Sequence, residues 1–103
     1  MTRIIVDPGI CGFKATVEVA RQDRLKVKIS IATECDMIKA LGAELAELDW
    51  REALGKPSES PVYKCAFRHI KHTACPLPSA VLKAVEVEVG AALPRDVVFH
   101  FEK

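Results

Sequence analysis

The stretch Phe13-Lys14-Ala15-Thr16-Val17-Glu18-Val19-Ala20, then Arg21-Gln22-Asp23-Arg24, then Leu25-Lys26-Val27-Lys28-Ile29-Ser30-Ile31, decides the fold. Phe13, Ala15, Val17 and Val19 alternate with Lys14, Thr16 and Glu18, and the same period of two continues through Leu25–Ile31. Such alternation puts one side of each strand on a core and the other in water. The four polar residues between the two runs turn the chain. Upstream, Arg3 to Asp7 is a short apolar run ended by Pro8-Gly9, which reads as a buried first strand. The three form a meander.

Downstream the period changes. Thr33 can cap a helix with Asp36 three positions on, and Met37, Ile38, Leu41, Leu45 and Leu48 supply an apolar stripe at helical spacing. Trp50 is expected to close over the core near that helix's end. Ser60-Pro61 resembles a cap followed by a first-turn proline, so a short helix should run from Pro61 to about Lys71. Pro76-Leu77-Pro78 precedes a stretch from Ser79 to Ala92 that reads as a helix, with Leu82, Val85, Val89 and Ala92 inward. Its rival is a strand, because Val85, Val87 and Val89 alternate with Glu86 and Glu88. Val97-Val98-Phe99-His100-Phe101 reads as a final strand. The expected fold is therefore α+β. Residues 1–103 should make one two-layer sandwich of order βββααβ, with a largely antiparallel sheet and helices on one face.

Composition narrows the function classes. Of the 103 residues 50% are hydrophobic and 28% charged, which excludes a disordered polar chain. Fifteen Lys and Arg against fourteen Asp and Glu leave a net charge of +1, unlike the basic stripe of a nucleic-acid binder. No apolar run reaches the roughly 18 residues of a membrane span. No signal peptide is read at the start, and four cysteines are too few for a secreted disulfide scaffold. A reduced, cytoplasmic domain is the economical expectation. A Gly-rich phosphate loop, a nucleophile-elbow serine and paired carboxylates are all missing, so nucleotide-dependent enzymes and hydrolases are disfavoured. Glu44, Glu47 and Asp49 read as a solvated face, and Lys26 and Lys28 as a solubilising row.

The thiols carry the chemistry. In an up-down-up meander, Cys11 follows strand one and Cys35 follows strand three, at the same edge of the sheet. The first helix runs away from that edge and the next returns, so His69, His72 and Cys75 arrive where Cys11 and Cys35 already are. Cys35 in the first turn of one helix and Cys75 just before another sit where unpaired N–H groups and the helix dipole favour thiolate. Cys75 should therefore have a depressed pKa. Cys11 lies between Gly9 and Gly12, where backbone can approach a bound atom closely. Cys65, on an apolar helical face, reads as a small core residue, His69 as a helix-face residue and His100 as a surface one.

Two resemblances bear on this. Cys75-Pro76-Leu77-Pro78, followed by Lys83, Gly90 and Leu93, resembles the CPxP-helix-strand core of TusA-like sulfur carriers. That similarity implies Cys75 as a persulfide-carrying catalytic thiol. Here, unlike in that family, three strands and a helix precede the motif. Over the whole chain, Val6-Asp7-Pro8-Gly9-Ile10-Cys11-Gly12-Phe13 and Cys75 through Pro94 resemble an uncharacterised family of small cysteine-containing proteins of anaerobic prokaryotes, which implies no set activity.

Three readings follow. In the first, Cys11, Cys35 and Cys75, with His72 or else Cys65 as fourth ligand, bind zinc or an iron–sulfur cluster. In the second, Cys75 transfers sulfur, with Cys11 or Cys35 as resolving thiol. In the third, the thiols only pack, and the domain serves structure or an unidentified protein partner. Whether the protein is an enzyme stays open.

Overall fold

The computed structural model describes residues 1–103. Strands β1 (Thr2–Val6), β2 (Ala15–Arg21) and β3 (Lys26–Thr33) form the expected meander, and all neighbours pair antiparallel. Val6 lies opposite Ala15, and Ala15 opposite Thr33, so the chain leaves β1, enters β2 and leaves β3 at one end of the sheet. Ala15, Val17, Val19, Val27 and Ile29 are buried, while Lys14, Lys26, Lys28 and Ser30 stay exposed. The turn at the other end is closed by Asp23, whose carboxylate accepts from the N–H groups of Leu25 and Lys26 at 2.8 and 2.9 Å.

Helix α1 spans Asp36–Glu44 and stops short of the expected stripe. Leu45 ends it, and Glu47–Asp49 then forms β4, pairing Leu48 with Val27 at the edge of the sheet. Leu45 and Leu48 are both buried, so their spacing of three suited a continued helix or a break into strand equally. Trp50 opens the short helix α2 (Trp50–Ala53) and covers the β2–β3 turn, where its indole N–H donates to the Arg24 carbonyl at 2.8 Å.

Helix α3 (Pro61–His69) starts as expected. The Ser60 hydroxyl accepts from the Val62 N–H at 3.3 Å and donates to the Ala53 carbonyl at 2.7 Å, with Pro61 in the first turn. Helix α4 (Leu77–Glu88) resolves the helix-or-strand ambiguity in favour of helix, starting two residues and ending four residues earlier than expected. It buries Leu77, Pro78, Val81, Ala84 and Val85, leaving Leu82 and Val89 half-covered and shifting the inward face from the one anticipated.

The α+β sandwich with an antiparallel sheet is thus present, in the strand order β1-β2-β3-β4. One expectation is corrected: the fourth strand is Glu47–Asp49, and Val97–Phe101 pairs with nothing and lies in solvent. Pairing of those residues within the chain would have given them a place in the sheet beside β1 or β4, and neither edge receives them.

Glu88 fastens the end of α4 to the far end of the sheet. Its carboxylate accepts from the Thr2 hydroxyl at 2.8 Å and the Arg21 N–H at 2.9 Å, and lies 3.5 Å from the N-terminal ammonium. Burial opposes its charge, but these donors outweigh burial and hold the carboxyl below the ordinary glutamate range. A lowered folded-state pKa contributes stability above the unfolded value of about 4.3, and that stability is lost as pH falls through the folded value. Glu88→Gln should therefore cost about 1 kcal/mol at neutral pH, and the gap from the parent should close below pH 4. Urea midpoints at pH 7 and pH 3.5 check it; an equal gap at both would refute the electrostatic account.

Candidate functional site

Because Glu88 sits at the Thr2 and Arg21 end, α4 lies along β1 and β2 with its start at the opposite end, where β1 and β3 finish. Three segments meet the sheet there: the loop after β1, the β3–α1 junction and the approach to α4. Each contributes one cysteine.

The first loop is a tight turn. The Gly12 N–H bonds the Gly9 carbonyl at 3.0 Å, and both glycines take left-handed φ values, +88° and +75°, that a side chain would strain. This turn presents Cys11 to solvent. At the second segment, Thr33 does not cap α1 itself. Its hydroxyl accepts from the Cys35 N–H at 3.1 Å, and Cys35 becomes the residue before the helix. The Cys35 thiol is half-buried against the core.

The third segment is pinned to the second. The Lys71 N–H reaches the Met37 sulfur at 3.4 Å, tying the α3–α4 connection to the first turn of α1. A turn then closes from the Cys75 N–H to the His72 carbonyl at 3.1 Å, leaving His72 exposed and Cys75 half-buried before Pro76.

The electrostatics reverse one expectation. The Cys75 thiol is pushed up, chiefly by burial; the Leu77 N–H pulls it down, and the charges of Cys11 and Cys35 raise it further. The helix start does act on Cys75, but desolvation and two neighbouring thiols outweigh it.

A second cluster escaped the sequence reading. Glu44 at the end of α1 meets Cys65 and His69 of α3, with their ligand atoms all within 4.8 Å of one another. No other three His, Cys, Asp or Glu side chains are gathered so tightly. The His69 Nε2 lies 3.0 Å from one Glu44 oxygen, and the Arg68 guanidinium pairs with the other. Cys65 is buried, points its thiol at the Leu41 carbonyl at 3.8 Å, and is pushed up by burial. The spacing of four between Cys65 and His69 was a usable signal, since it stacks both on one helical face. Glu44 was not legible, because only the packing of α1 on α3 brings it there.

No helix is long and apolar enough to cross a membrane. No curated protein and no solved structure matches the chain. Residues 2–101 match a family of unknown function, DUF6951, and by that coverage the chain belongs to it.

Proposed function

We propose that this is a small metal-binding thiolate protein, with Cys11, Cys35 and Cys75 as ligands and His72 as the fourth. The bound species would be zinc or an iron–sulfur centre. What supports this reading is that the β1–β2 loop, the β3–α1 junction and the approach to α4, each bearing one cysteine, come to the same end of the sheet, although the three thiols are not gathered as tightly as Glu44, Cys65 and His69. The Lys71–Met37 contact and the upward push of Cys11 and Cys35 on the Cys75 thiol support it. Neighbouring thiolates repel one another, and a cation among them turns that penalty into attraction. The sulfur-carrier alternative needs Cys75 ionised in the free protein, and burial works against that.

Protein made and purified without oxygen should carry stoichiometric metal. Elemental analysis identifies it, and broad visible absorption would mark an iron–sulfur centre. Metal-free protein that takes up neither zinc nor a reconstituted cluster would overturn the reading. An alkylating agent that then labels Cys75 ahead of the exposed Cys11 would favour the carrier instead.

The Glu44–Cys65–His69 cluster supports a second location for the ion, in place of Arg68 against Glu44. Cobalt(II) separates the two sites, since thiolate ligation gives an intense near-ultraviolet charge-transfer band. Loss of the band in Cys75→Ser but not Cys65→Ala assigns the ion to the sheet end. The reverse assigns it to the helix pair.

A further inference from the structure

We infer that two copies of this chain exchange their C-terminal arms, with Val97–Phe101 of each adding a strand along β1 of the other. The sheet's two edges are unlike. At one edge β4 is three residues long and charged at both ends, Glu47 and Asp49, which discourages further pairing. At the other, β1 runs five residues through Ile4-Ile5-Val6, with no proline and a single charge at Arg3. Its outer N–H and C=O groups face no strand. Ile5 is 70% exposed and Ile4 only half-covered. A bare apolar edge of this kind normally has a cover.

The same chain carries a strand it does not use. Leu93, Val97, Val98, Phe99 and Phe101 are each 60–91% exposed, half of all the large apolar side chains the fold leaves in water. Val97, Phe99 and Phe101 fall on one side of an extended chain, and Val98 and His100 on the other, the pattern of a half-buried strand. The arm departs beside β1, because Glu88 holds the end of α4 against Thr2. It nonetheless makes no ladder with its own β1. Beyond the turn that ties Gly90, Ala91 and Ala92 back to Glu86 and Val87, the four residues from Leu93 to Asp96 can span roughly 13 Å toward a neighbour. An exchanged pair of arms buries four phenylalanines, Phe99 and Phe101 of each copy, at roughly 150–250 Å² apiece. With the flanking valines, the total reaches the roughly 1,200–2,000 Å² of a stable interface.

Light scattering of the reduced, full-length protein should give twice the chain mass of 11.3 kDa. Truncation after Ala92 should give a monomer with unchanged far-ultraviolet dichroism, since the arm contributes nothing to the core. Pairing is located by crosslinking in a Cys11→Ser background. Ile5 and Val98 would share the open face, so Ile5→Cys chains mixed with Val98→Cys chains should form an interchain disulfide. A monomer at every concentration overturns the inference, as does a dimer that survives truncation. So does an intrachain disulfide in the Ile5→Cys/Val98→Cys double variant, which would mean that the arm folds back on its own β1. A truncation-sensitive dimer that never crosslinks through position 5 also overturns it.

Discussion

Cys35→Ser should abolish metal binding and, with it, the whole of the metal-dependent stability. An ion that binds only the folded chain stabilises by RT ln(1 + [L]/Kd), about 4 kcal/mol at a thousandfold excess over Kd. For a domain of this size that corresponds to a melting temperature about 15 °C or more above the metal-free protein. The Cys35 thiol is only half-buried and Ser preserves its shape, so in the metal-free state the variant should melt within a few degrees of the parent. The decisive quantity is the difference between loaded and metal-free melting in parent and variant. If zinc or cluster raises both by the same amount, Cys35 is no ligand and the sheet-end site fails.

The second large effect is structural. Leu41→Ala should destabilise the protein by about 2–5 kcal/mol, a large part of the roughly 5–15 kcal/mol typical of a whole domain. Leu41 is fully buried on α1, the helix that packs on both β3 and α3, and its carbonyl also receives the Cys65 thiol. Chemical denaturation checks this, and a loss below 1 kcal/mol would mean that α1 is less tightly packed than its burial indicates.

Much of the scaffold was legible because it is written in local chemistry. The alternation from Ala15 to Ile31 specifies two strands and their inward faces, although Phe13, which continues the pattern, lies before β2 and is exposed, and Ser60-Pro61 marks the start of α3. What was not legible depended on distant partners. A three-residue strand such as β4 has no period to detect, and only pairing with Val27 distinguishes it from a helical turn. Val97–Phe101 has a strand's pattern, but pattern supplies no partner edge. At the candidate site, the positions of Cys11, Cys35 and Cys75 followed from strand parity. The rise in the Cys75 pKa did not, because desolvation is set by surrounding packing and not by the helix start alone. Glu44 beside Cys65 and His69 required the α1–α3 interface itself.

The three cysteines at the sheet end come from residues 11, 35 and 75, separated by the rest of the meander, three helices and β4. No two of them share a local turn, so no fragment emerging from a ribosome can hold the proposed ion until residue 75 is free and α4 has docked. Loading of the proposed ion would then be a late, post-translational event acting on a chain already folded by its apolar core. The ion would work less as a nucleus of assembly than as a certificate of it, excluded from truncated or misfolded copies without any separate proofreading step.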